Sequence, residues 1–143
     1  MMESHNFLGE LWQRRAEEER GETQEDRDLN LYRRFEIDGQ KYPSLTPIIN
    51  ELQSTIGKYA EAVTRLSLVK IGKLDKDTIV SADRHRHLIH NNLIDVVNHL
   101  SREYKNLKID NDWRSAIIGE SREEIGDWAL TVARKELNHE EVM

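Results

Sequence analysis

Thr46-Pro47-Ile48-Ile49-Asn50-Glu51-Leu52-Gln53-Ser54-Thr55-Ile56-Gly57-Lys58-Tyr59-Ala60-Glu61-Ala62-Val63-Thr64-Arg65-Leu66 decides the fold. Leu45, Ile49, Leu52, Ile56, Tyr59, Val63 and Leu66 recur three and four residues apart, which places them on one face of an α-helix. Thr46 can cap the helix, and Pro47 suits a first turn, where no N–H is needed. The stripe ends near Gly72, and residues 72–77 make a short connection in which Asp77 or Thr78 can cap the next helix. There Ala82, Ile89, Leu93, Val96, Leu100 and Leu107 continue the period, with Val97 and Tyr104 flanking. Two long apolar stripes joined by a short loop pack antiparallel. The expected fold is therefore mainly α, a helical bundle over residues 46–143 built on a long antiparallel helical hairpin.

Upstream, Phe35-Glu36-Ile37-Asp38-Gly39-Gln40-Lys41-Tyr42 carries the one β signal. Asp38-Gly39 suits a two-residue hairpin turn, with Phe35, Ile37 and Tyr42 flanking it. A small β-hairpin is expected at residues 35–42, within a linker region spanning 21–45. Residues 1–20 form an expected amphipathic arm, with Phe7, Leu8, Leu11, Trp12 and Ala16 at helical spacing. Downstream, Asn111 or Asp112 can cap a short helix through Trp113 and Ile117 that breaks at Gly119. Ser121-Arg122-Glu123-Glu124 has the form of a capping box. A last helix would then turn Ile125, Trp128, Ala129, Val132 and Leu137 inward.

Composition narrows the function classes. At 143 residues the chain is long enough for a real core. It has no cysteine, so it holds neither disulfide nor thiolate nucleophile, and that fits a reducing compartment. The net charge of −6 disfavours a non-specific nucleic-acid binder. No apolar run approaches the roughly 20 residues that span a bilayer, and the first residues lack the pattern of a signal peptide. A cytoplasmic protein without a membrane partner is expected.

Chemistry-bearing groups concentrate at Asp83-Arg84-His85-Arg86-His87-Leu88-Ile89-His90-Asn91-Asn92. On the helical phase, Ile89, Leu93 and Val96 face the partner helix, and Arg86 and His90 share the adjoining row with Ile94 and Val97. His87, Asn91 and Asp95 form a second row, and His85, Asn92 and His99 a third. A metal ion needs ligands converging from one face, so neither metal nor cofactor is expected. Arg84, Arg86, Arg102, Lys105, Lys108 and Arg114 make the third helix and its continuation locally basic, which suits an acidic partner or, less well, nucleic acid.

Arg84 to Asn91 resembles the arginine–spacer–histidine motif of HEPN-domain ribonucleases, a family that is also helical. The resemblance covers about ten residues and implies a metal-independent ribonuclease acting as a dimer. In it Arg84 would hold phosphate and His90 would move a proton, with Arg86 offering a second register. The chemistry suits those residue types, since arginine is an obligate phosphate fork and histidine titrates near neutrality. The spacer is one residue longer than the commonest form. Glu123-Glu124-Ile125-Gly126-Asp127, in turn, is similar to the second acidic motif of MazG-type all-α nucleotide pyrophosphohydrolases. That resemblance implies Mg²⁺ held by Glu124 and Asp127, together with an earlier acidic pair that the second helix lacks. The wording of residues 84–94 is also similar to small bacterial and phage proteins, which implies no activity.

The expected function is a non-catalytic protein-interaction or regulatory protein, a homodimer, with a HEPN-like ribonuclease using Arg84 and His90 as the alternative. Phe7, Leu11 and Trp12 on the arm and Arg102 and Lys105 on the third helix are the expected interaction residues. The apolar stripes exceed what one short hairpin hides, which suits association through helix faces.

Overall fold

The computed structural model describes residues 23–72, 79–118 and 123–138. Five helices make up nearly all of them: α1 Gln24–Lys41, α2 Thr46–Lys70, α3 Ile79–Asn106, α4 Trp113–Ile118 and α5 Glu123–Glu136. No strand occurs among the described residues. The protein is mainly α, a helical bundle. The expected arm, with Phe7, Leu11 and Trp12, lies outside the described residues, as does the expected cap at Ser121.

The expected β-hairpin at 35–42 is absent, and α1 takes its place. Thr23 begins α1 through a capping box: its hydroxyl accepts from the Asp26 N–H, and the Asp26 carboxylate accepts from the Thr23 N–H, each at 3.2 Å. From there Leu29, Tyr32 and Phe35 are buried at a spacing of three, whereas Ile37 is 54% exposed. The alternation of Phe35 and Ile37 mimics a strand, but the burial follows the helical period. Asp38 is no turn residue either. Its carboxylate accepts from the buried Tyr104 hydroxyl at 2.5 Å and lies 3.5 Å from the Arg34 guanidinium. Burial, with the Asp38 carboxylate next in effect, pushes the Tyr104 phenol far above its usual range. Pro43 then ends the helix, because the residue before a proline is driven out of helical geometry.

The join to α2 explains the glycine of that expected turn. A Cβ on Gly39 would meet Ile49 Cδ1 at 2.9 Å, so the bare backbone lets α2 start close beside α1. Thr46 does not cap. Leu45 occupies that position, and the Thr46 hydroxyl donates to the Gly39 carbonyl at 2.7 Å, tying the two helices together.

The stripes expected on α2 and α3 meet in the main core. Leu45, Ile49, Leu52, Ile56 and Tyr59 are buried with Ile89, Leu93, Val96, Leu100 and Tyr104, while Val63 and Leu107 pack at its edge. Late α2 residues sit beside early α3 residues: Leu66, Val69 and Ala82 form a small apolar cluster of their own. The core thickens where Phe35 meets Tyr104, Trp113 and Trp128 edge-on, at ring-centre distances of 6.1, 4.7 and 6.1 Å. Trp113 and Trp128 are core residues. Such pairs add about 0.5–1.5 kcal/mol each beyond area burial. Asn111 does not cap α4; its amide donates to the Ser101 hydroxyl at 2.9 Å, and the Asp110 carboxylate takes the Asp112 N–H instead.

Candidate functional site

Helix α3 distributes its polar groups as its period dictates, and α2 and α5 decide which of them meet. His90 lies in the row beside the core stripe and is 9% exposed. Its ring tilts against that of Tyr59 from α2, with centres 5.7 Å apart. Both rings press on α5 at Gly126, where a Cβ would stand 2.7 Å from the Tyr59 hydroxyl and 3.6 Å from His90 Cδ2. A glycine at this point of α5 is what admits the two side chains.

Above His90 opens a groove of about 610 Å³ between α2, α3 and α5. Lys70 contributes from α2, Asp83, Arg86, His87 and Asn91 from α3, and Asp127 from α5. Arg86 is half-buried and pairs with Asp83, one turn before it, at 3.3 Å. The groove thus collects a guanidinium, an ammonium, two imidazoles and two carboxylates, so a cation fork and a proton carrier face the same space. It is close to electrically balanced, which favours a polar ligand of mixed charge over a bare polyanion.

Arg84 is not part of it. It is exposed and lines an adjoining hollow of about 440 Å³ with Ile79 and Val80, on the far side of Leu66, Lys70 and Asp83, which border both spaces. Arg86 and His90, four apart, therefore share a groove, whereas Arg84 does not line the groove that holds His90. The cause is helical phase, since six residues turn a side chain well away from its starting face. His85 is exposed and lines neither cavity.

On the opposite flank, α2 and α3 enclose an open trough of about 660 Å³. Arg102, one of the expected interaction residues, lines it near Glu51, Lys58, Asp95 and His99. The alternating charges mark a solvated seam between two helices. Lys105 is exposed outside it.

The acids of the second motif also find a common space. Glu124 and Asp127 border a cleft of about 270 Å³ with Gln24 and Asp28 of α1. Asp28 is the member that sequence reasoning missed, because the residues around it read as a linker. Burial, and to a smaller extent the neighbouring Asp127 and Glu25 charges, push the Asp28 carboxyl above its ordinary value, against the hydrogen bond from Gln24 and the charge of Arg27. Among the described residues, no three histidine, aspartate or glutamate side chains are grouped so as to hold a metal ion.

Large aliphatic side chains are exposed as well. Leu68, Ile71, Ile79 and Val80 are exposed around the close of α2 and the start of α3, with Ile71 at 67% and Val80 at 66%. Among the described residues, no helix is long and apolar enough to cross a membrane. No protein-family model, curated protein or solved structure matches this chain.

Proposed function

We propose that this chain is a non-catalytic interaction or regulatory protein of the cytoplasm that works as a homodimer. Its scaffold is an antiparallel pair of long helices, α2 and α3, braced by α1, α4 and α5. One observation carries the reading: four large aliphatic side chains, Leu68, Ile71, Ile79 and Val80, are exposed where α2 closes and α3 begins. Single exposed aliphatics are ordinary, but Ile79 and Val80 line one hollow with Leu66, Lys70, Asp83 and Arg84, an apolar floor with a charged rim that has the composition of a contact surface. Sedimentation of the full chain beside Ile71→Glu/Val80→Glu tests it. Wild type is expected to sediment as a dimer and the variant as a monomer, whereas equal masses would remove the surface from consideration.

A second reading rests on the convergence of Arg86 and His90 on one groove. In a metal-independent ribonuclease, Arg86 would hold phosphate and His90 would carry the proton, with Arg84 left outside. Against it stands the Asp83 carboxylate, which already engages Arg86. Single-stranded RNA incubated with excess chelator and either wild type or Arg86→Gln decides the matter. Cleavage by wild type that the variant loses supports the enzyme; an intact substrate in both ends it.

A further inference from the structure

The groove above His90 is balanced in sum but not along its length. At one end Lys70 closes α2, and Asp83 and Arg86 stand in the first turns of α3, so two cations accompany one carboxylate. The other end lies where Gly126 of α5 meets Tyr59 and His90, and there the next residue, Asp127, is an acid. From α5 the groove takes Asp127 and Leu130 and, among the described residues, no cation. The charges are thus sorted into a basic pole and an acidic pole. Arg86 precedes His90 by four residues, which is about 6 Å along the axis of α3.

Between the poles the wall is apolar. Along α2 the lining runs from Tyr59 through Val63 and Leu66 to Lys70, and Leu130 faces it from α5. The side chains of Val63, Leu66 and Leu130 have no hydrogen-bonding group to offer a ligand. At the basic pole Arg86 is already oriented. One oxygen of Asp83 accepts from its Nε and Nη2, at 3.4 and 3.3 Å. A guanidinium is a fork of several donors, so, among the described residues, its Nη1 side remains for a second carboxylate.

A bare anion drawn to Lys70 and Arg86 meets Asp83 and Asp127 in the same groove, and a bare cation drawn to Asp127 meets Lys70 and Arg86. One molecule with both charges, held apart by an apolar chain, answers both poles and covers the wall between them. We propose that the groove binds a small zwitterion, a straight-chain ω-amino acid. Its carboxylate lies at Arg86 and Lys70, its ammonium at Asp127, and its methylenes along Val63, Leu66 and Leu130. At about 610 Å³ the groove has room for such a molecule. A site of this kind gives a regulatory protein a small-molecule signal to read, and it does not depend on the dimer.

The test titrates the full chain with ε-aminohexanoate and follows the imidazole NMR signals of His87 and His90, which both line the groove. Both signals should shift and saturate, and the thermal midpoint should rise with ligand concentration. Hexanoate and hexylammonium, each keeping one of the two charges, should bind at least about tenfold more weakly. Arg86→Gln and Asp127→Asn should each weaken ε-aminohexanoate by a similar factor. Arg86 is only half-buried and Asp127 is exposed, so both variants are expected to fold. Imidazole signals that do not move, single-charge analogues that bind as well, or full affinity in both variants overturns the proposal. Single-stranded RNA that displaces ε-aminohexanoate also overturns it, because the groove would then be a polyanion site. A chain that sediments as a monomer yet binds the zwitterion with this pattern supports the site and removes the dimer alone.

Discussion

Gly126 lies inside α5, where glycine costs about 1 kcal/mol relative to alanine. It is retained because the Tyr59 hydroxyl occupies the space of its missing Cβ, at 2.7 Å, with His90 behind. Gly126→Ala should therefore lose about 1–3 kcal/mol despite its better helix propensity. Gly126→Ala/Tyr59→Phe should recover much of that loss, since phenylalanine lacks the oxygen that clashes. Urea unfolding of the two variants beside wild type measures both effects, and an alanine variant as stable as wild type would show that the two rings give way freely. The helical period of α3 was enough to set His90 beside the core row. Nothing in the neighbourhood of His90 in the chain announces a glycine 36 positions later that makes its pocket.

At the scale of the element, α3 ends in a way that conflicts with its own residue. Lys108 has φ of 60°, a left-handed conformation that favours glycine. The Ile109 N–H donates to the Tyr104 carbonyl at 3.1 Å and the Lys108 N–H to Lys105 at 3.0 Å, the paired bonds of a Schellman termination. Lys108→Gly should stabilise the protein by about 1 kcal/mol, seen as a higher urea midpoint with an unchanged slope. Element α1 shows where local signals mislead. Its capping box at Thr23 and its buried positions at Leu29, Tyr32 and Phe35 are all present in the chain. Asp38-Gly39 between flanking aromatics resembles a hairpin turn more vividly. The preference is overturned because Gly39 answers to Ile49 and Asp38 to Tyr104, contacts that exist only after α2 and α3 are in place.

Across the whole molecule, Phe35 is the residue on which separate helices converge. Its ring meets Tyr104 of α3, Trp113 of α4 and Trp128 of α5, and it is fully buried. Phe35→Ala should cost about 3–5 kcal/mol, a large part of the roughly 5–15 kcal/mol that stabilises a domain. Ile37→Ala should stay within about 0.5 kcal/mol, as its side chain faces solvent. Thermal or urea unfolding of the pair checks the arrangement, because a hairpin would put both side chains on one face and make both substitutions costly. Ile71 and Val80 show the opposite condition, apolar side chains that stand about two-thirds exposed, at 67% and 66%.

By itself the sequence determined the period of its helices, and with it the burial of Leu52, Ile56, Leu93 and Leu100 and the spread of His85, His87 and His90 over different rows of α3. A repeat of three and four residues is a local property, legible before anything folds. The tertiary structure decided the remainder. It chose helix over hairpin for residues 35–41, joined Arg86 to His90 while parting both from Arg84, and set Asp28 against Asp127. Those outcomes depend on contacts between segments up to about a hundred residues apart, whose energies no short stretch of chain contains.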